Sequence, residues 1–462
     1  MSDHHGAKRT ASEADASDHP ASNGAAHGHD HHNHNHKHAR PATATATTAA
    51  DVAQARKLLK LASDDASESQ AVKNFREFLR IKTVHPNPDY DTALHFLRRM
   101  AGELHLPFET IEVAPGKVIA IMSWIGTSPE LPSIMLNAHT DVVPVFEEFW
   151  THGPFDATKL ENGDIIGRGT QDMKCVAIQY IEAVRNLIAQ GVRLARTLHL
   201  TFVPDEEIGG HSGMELFVDH ERFKALNIGF ALDEGLANET DAFTVYYGER
   251  APWWVRVKAV GRPGHGSRFV ENTATEKLMR VIEKFLAFRQ QQKSLLESGE
   301  AKTLGDVTTL NLTMLEGGVQ FNIVPAEASA GFDIRIPPTV DLVEFEKQLG
   351  VWTSSEEGVT FEFVSKFENN QMTVLDDNNV WWKAFKTACD AQALTLVTEI
   401  FPAATDSRYI RQKSIPALGF SPINNTPILL HDHNEFLNEA VFVRGVTVYE
   451  HVLKSIGNVP PQ

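Results

Sequence analysis

Three apolar runs in this chain each stop on acidic or imidazole side chains, and helix-period segments separate them. Ser133 to Ala138 stops at His139-Thr140-Asp141, Thr197 to Val203 at Pro204-Asp205-Glu206-Glu207, and Ile228 to Leu232 at Asp233-Glu234. A short continuous apolar run bounded by polar residues predicts a strand buried on both faces. Between the first two, apolar residues at 177, 178, 181, 184, 187 and 188 predict a helix over Val176 to Ala189. A shorter helical segment from Met214 to Val218 precedes the third strand. Strands alternating with helices imply βαβ units, hence an α/β fold with a mixed, mostly parallel sheet flanked by helices. In such open sheets ligands bind at the carboxyl edge. His139, Asp141, Glu206, Glu207 and Glu234 are therefore expected at one edge.

The pattern changes at about residue 250. Strand, helix, strand, strand, helix and strand follow over Trp253 to Val260, Thr275 to Lys293, Val307 to Leu315, Ala328 to Ile336, Val340 to Leu349 and Val359 to Val364. This βαββαβ order predicts an inserted α+β, ferredoxin-like domain with an antiparallel sheet. Helices near Trp381 to Ala391 and Val441 to Ile456 resume the first pattern. The expected division is a His-rich tail at 1–50, a catalytic domain at 55–249 and 367–462, and a lid or dimerisation domain at 250–366.

The tail is rich in Ala, Ser, Thr, Asp and His, too poor in large apolar residues to offset the entropy of ordering, and is expected to be disordered. It holds 10 of the 22 histidines. Such a tract binds zinc or nickel loosely, or is simply solvated. A net charge of −17, with lysine and arginine scattered among acids, argues against nucleic acid as a partner. No apolar run is long enough to cross a bilayer, and the N-terminus lacks the basic and apolar regions of a signal peptide. Two cysteines far apart, Cys175 and Cys389, imply no disulfide framework. A cytoplasmic protein without a membrane partner is the expectation.

Each cluster has an ordinary reading and a chemical one. In an extended segment residues i and i+2 face the same way, so Asp141 can accept the second ring proton of His139, as metal-bound histidines require; a surface strand end gives the same triplet. Asp172, in Gly167-Arg168-Gly169-Thr170-Gln171-Asp172-Met173-Lys174, sits where an acid often caps a helix. Adjacent Glu206 and Glu207 repel unless a cation or proton intervenes, though solvated acidic pairs are common. The histidines of His431-Asp432-His433-Asn434-Glu435 follow another apolar stretch. Three carboxylates and two imidazoles together suit a pair of divalent zinc ions.

Leu136-Asn137-Ala138-His139-Thr140-Asp141-Val142-Val143-Pro144, Arg168 to Lys174, Pro204 to Gly210 and Arg262-Pro263-Gly264-His265-Gly266-Ser267 resemble the motifs of the M20 metallopeptidase clan. The resemblance runs over roughly residues 70 to 455, through Ala231 to Gly235, Thr405 to Arg411 and Leu430 to His433, and is strongest to the clan's N-acyl-L-amino-acid amidohydrolases. It implies two zinc ions per subunit, one held by His139, Asp172 and Glu234 and the other by Asp172, Glu207 and His431. His433 competes with His431 for the last place. Glu206 is then the general base and acid, Asp141 orients His139, and His265 crosses from a homodimer partner to stabilise the oxyanion. The resemblance also implies a cis peptide between Asp172 and Met173. Arg335, Asn322 and Arg408 are candidates for binding the substrate carboxylate; Arg335 could instead pair with Asp333, and His265 could be a turn residue. The implied reaction is hydrolysis of N-acyl-L-amino acids, a small-molecule substrate. A dipeptidase or carboxypeptidase of the same clan is the alternative, and a metal-binding protein acting through its tail a more distant one.

Overall fold

A strand apolar on both faces is stable only between two layers, and the computed structural model, which describes residues 68–461, places all three runs in that position. The 1–50 tail and the start of the 55–249 segment lie outside the described residues. The strands are β1 (Phe108–Ala114), β2 (Lys117–Trp124), β3 (Ser133–His139), β4 (Thr158–Lys159), β5 (Asp164–Ile166), β6 (Leu198–Val203), β7 (Ile228–Asp233), β8 (Phe243–Glu249), β9 (Ala251–Val260), β10 (Gly264–His265), β11 (Thr309–Gly317), β12 (Ile323–Val324), β13 (Glu327–Ile336), β14 (Val359–Lys366), β15 (Leu396–Phe401), β16 (Ala417–Phe420) and β17 (Phe436–Asn438). The helices are α1 (Gln70–Leu79), α2 (Tyr90–Glu103), α3 (Lys174–Ala189), α4 (Met214–Phe217), α5 (Glu221–Ala225), α6 (Ala274–Ser298), α7 (Leu342–Thr353), α8 (Val380–Asp390), α9 (Ser407–Gln412) and α10 (Glu439–Ile456).

The eight-stranded sheet has the order β1-β2-β6-β3-β7-β16-β8-β15. At its centre β3 pairs in parallel with β6, Leu136 opposite Leu200, and with β7, Leu136 opposite Leu232. Alternate side chains of a strand point to opposite faces, so Ile134 and Leu136 enter one core, with α1, α3, α8 and α10, while Met135 enters another, with Met214, Phe217, Tyr409 and Ile410. Both faces are covered, which is why apolar residues on these runs point to either side of the sheet. The register also sets the site: His139 lies opposite Val203, so the polar residues after β6 emerge beside those after β3.

The inserted segment forms a separate antiparallel sheet, order β11-β13-β9-β14. Here one face alone is packed, and the sequence alternates accordingly: Trp253, Val255 and Val257 of β9 and Ala330, Phe332 and Ile334 of β13 meet Phe285 of α6 and Phe345 and Leu349 of α7. Thr273 starts α6 by accepting from the Glu276 amide, and Gly299, at φ +78°, ends it. The anticipated βαββαβ order is present, with one addition: β10 and β12 form a two-stranded ribbon, His265 opposite Ile323.

Candidate functional site

Adjacent parallel strands end together, and β6, β3 and β7 accordingly deliver Glu206 and Glu207, His139, and Glu234 to one edge. Asp172 arrives differently, on the turn before α3. Its carboxylate caps no helix; the residue at the start of α3 is Met173, with no side-chain cap. Instead Asp172 Oδ1 lies 3.0 Å from His139 Nε2 and Oδ2 lies 3.2 Å from His431 Nε2. One oxygen thus faces each of two groups, His139–Asp172–Glu234 and Asp172–Glu207–His431, whose ligand atoms lie within 4.8 Å of one another in each group. His139 Nε2 is 3.5 Å from Glu234 Oε2, and His431 Nε2 is 3.0 Å from Glu207 Oε2. The peptide between Asp172 and Met173 is cis.

The electrostatics are those of a cation site. Burial, then the charge of Asp172, pushes Glu234 well above the usual carboxylate range and Glu207 up to about 7. Burial acts the same way on Asp172, but the rings of His139 and His431 outweigh it and hold its carboxyl well below that range. Burial opposes charge on His139, yet Glu234, Asp141 and Asp172 push its pKa well up; hydrogen bonds to Asp172 and Glu207 raise His431 to about 10. Crowded acids here hold protons or share them with imidazoles, and Glu207 Oε1 is buried without a hydrogen-bond partner. Divalent cations would replace those protons, and a mixed oxygen and nitrogen donor set of this kind fits zinc.

Glu206 lies on the short 3-10 turn Glu206–Ile208, next in sequence to Glu207 of the second group. Burial, followed by the charge of Glu234, raises it well above the usual range. Asp141 departs from the expectation. His139 Nδ1 bonds the Asp141 backbone carbonyl at 3.0 Å, while the nearest carboxylate oxygen is 3.6 Å away. Strand β3 ends at His139, so the i and i+2 geometry of an extended chain no longer holds. The Asp141 carboxylate instead accepts from His85 Nε2 at 2.8 Å and from the Glu207 amide at 3.2 Å. Its burial would raise the carboxyl, but the rings of His139 and His85 hold it down at about 2.

Two residues here were not assigned roles from the sequence. His85 lies in Val84-His85-Pro86-Asn87, with no periodic or motif signal. Glu435 stands out in the sequence only as the end of the stretch His431-Asp432-His433-Asn434-Glu435. It is fully buried and accepts from Arg168 Nη1 at 2.8 Å, Thr170 Oγ1 at 3.2 Å and the amides of Gly169 at 3.1 Å, Gln171 at 2.6 Å and Asp172 at 3.4 Å. This one carboxylate shapes the turn that carries Asp172. Glu435→Ala leaves the Arg168 guanidinium buried without its charge partner, together with several amides. The expected loss is about 3–5 kcal/mol of folding stability, measured by denaturant unfolding; a loss below about 1 kcal/mol, the scale of an exposed ion pair, would overturn this role.

The remaining candidates lie elsewhere or are engaged. His433 packs against Phe149, ring centroids 5.1 Å apart, and is absent from both groups. Arg408 is buried, donating to the carbonyls of Thr405 at 2.8 Å and Gly209 at 2.6 Å. Arg335 forms a two-bond ion pair with Asp333, at 2.8 and 2.9 Å. His265 is exposed on the β10–β12 ribbon, its Nδ1 2.8 Å from Ser267 Oγ, and the Gly266 amide donates to the Asn322 carbonyl at 2.9 Å.

Comparison with known proteins bears on the family and the fold. The sequence profile of Peptidase family M20/M25/M40 matches residues 135–455. The chain is 58% identical over 398 residues to Aminoacylase-1 of Mus musculus, covering 86% of this chain and 98% of that protein. An M20 family metallo-carboxypeptidase of Sulfolobus solfataricus shares its fold at a TM-score of 0.67 and 17% identity, over 84% of this chain and all (100%) of that one. A dinuclear metal-binding M20 peptidase of Bacillus subtilis superposes at 0.61 and 15% identity, over 89% and 100%.

Proposed function

This chain belongs to peptidase family M20/M25/M40, and from that membership we propose that it hydrolyses N-acyl-L-amino acids to a carboxylate and a free L-amino acid at a pair of zinc ions. The observation that carries the reading is the buried Asp172 carboxylate with one oxygen toward each ligand group. The substrate class rests on 58% identity to an Aminoacylase-1 along 98% of its length.

In this proposal His139, Asp172 and Glu234 hold one ion, and Asp172, Glu207 and His431 the other. Such a pair, when bound, would polarise the acyl carbonyl and make an attacking water more acidic. Glu206 takes the proton of that water as it attacks, and returns it to the leaving nitrogen. Its carboxylate accepts no hydrogen bond from the other described residues, which leaves it free to carry a proton. Arg335 already presents its planar fork to a carboxylate, that of Asp333, and with Asn322 is proposed to receive the substrate carboxylate. Arg408, bonded to the carbonyls of Thr405 and Gly209, has a supporting part in place of a binding one.

The oxyanion is assigned to the partner subunit's His265, which makes the working form a homodimer. The chain on either side of the ribbon that bears it supports this: Phe269, Val319 and Phe321 stand almost wholly in water, large apolar side chains that a second copy would cover. The proposed compartment is the cytosol; Cys175 and Cys389 are both free and buried, and among the described residues no helix is long and apolar enough to cross a membrane.

The zinc-loaded protein is expected to hydrolyse N-acetyl-L-methionine with kcat/KM about 100-fold above that for Ala-containing dipeptides. The reverse order would replace this substrate class with a dipeptidase's, and hydrolysis of neither would overturn the enzymatic reading.

A further inference from the structure

His85 reaches the site from a segment to which the proposed mechanism gives no role. Val84 bridges Val142, the His85 amide donates to the Val142 carbonyl at 3.2 Å, and the Val142 amide donates to the Thr83 carbonyl at 3.0 Å. The segment is thereby laid alongside the chain that leaves His139. It is tied a second time by the buried Lys174, whose ammonium donates to the Ile81 carbonyl at 2.7 Å and the Phe78 carbonyl at 3.2 Å. Lys174 follows Asp172 by two residues, so the same strip of backbone is anchored to both sides of the ligand cluster.

From this anchored position the His85 ring points at the Asp141 carboxylate, Nε2 to Oδ2 at 2.8 Å. An ionised carboxylate only accepts, so the ring is the donor. Asp141 has no exposure to water, and its Oδ1 lacks any hydrogen-bond partner. Its Oδ2 has two, the His85 ring and the Glu207 amide. Asp141 thus touches a ligand on either side: His139 through its own backbone carbonyl, and Glu207 through that amide. A buried carboxylate deprived of one of two donors turns toward whatever donor remains, and here the nearest are the His139 ring and the Glu207 main chain.

We propose that His85 is a positioning residue, which by donating to Asp141 fixes the two ligands His139 and Glu207 relative to each other across both metal groups. The inference rests on the dinuclear reading of the site. It makes His85 part of the metal centre though no carboxylate or ring of either ligand group touches it.

The test compares His85→Leu, which keeps comparable bulk without a donor, with His85→Gln, which keeps an N–H donor, both in the full-length protein. Zinc affinity is measured by chelator competition without substrate, beside kcat, KM and the melting temperature of the metal-free protein. His85→Leu is expected to bind zinc about 10–100-fold more weakly and to lose kcat with little change in KM, and His85→Gln to recover most of both. A purely packing role would damage the two variants alike, and that outcome overturns the proposal. So does unchanged zinc affinity in His85→Leu. If His85→Leu does not fold, His85→Gln still decides: zinc affinity at the wild-type level supports the donor role, and affinity 10-fold or more below it overturns that role. Wild-type protein that takes up no zinc would overturn the dinuclear reading itself, and this inference with it.

Discussion

Glu206→Gln is expected to lower kcat by about 10²–10⁴-fold while two zinc ions remain bound. The side chain is not in either ligand group, and its carboxylate accepts no hydrogen bond from the other described residues, so an amide of the same shape has nothing structural to disturb. What it loses is the capacity to take a proton. Glu206 sits where burial and the Glu234 charge favour the protonated carboxyl, an environment that suits a group meant to hold a proton between the attack of water and the departure of the amine. Steady-state kinetics with N-acetyl-L-methionine and metal analysis of the same sample make the check. Full activity in the variant would remove Glu206 from the mechanism; a loss of zinc in proportion to rate would make it a ligand in place of a base.

Much of this site is legible in sequence because strand ends are. The run Ser133 to His139 is buried at every position, and a chain that must stop being apolar at a sheet edge announces its polar residues at once. The same logic located Glu206, Glu207 and Glu234. Asp172 is different, since its place depends on Glu435, brought from a distant part of the chain to accept the amides of the turn before α3. No local pattern encodes that contact, and on local pattern alone a helix cap is the commoner reading. His85 is further removed still: its position follows from a backbone strip beside Val142 and from Lys174, both visible only once the sheet is assembled. The spacing rule brings the Asp141 carboxylate within 3.6 Å of the His139 ring, but the shorter contact, at 3.0 Å, is to the Asp141 carbonyl, because extended geometry ends with β3.

Asp172→Ala is expected to abolish binding of both ions and, with it, activity, because the one carboxylate serves both ligand groups. Metal content near two per chain would refute the bridging role. The stability of the metal-free protein separates this from simple damage. In the wild type, Glu207 keeps its proton up to about pH 7, first through burial and then through the charge of Asp172, whereas the unfolded chain releases that proton near the ordinary carboxylate value. The folded state therefore binds more protons than the unfolded state between those two values, and its stability falls as pH rises through that window. Removing Asp172 removes one cause of that excess. The metal-free variant should lose less stability than the wild type between about pH 4.5 and pH 7. Zinc, in turn, stabilises a protein only in so far as the folded state binds it; added zinc should raise the melting temperature of the wild type and leave that of Asp172→Ala unchanged. A variant whose melting temperature still climbed with zinc as the wild type's does would retain a site that does not need this carboxylate.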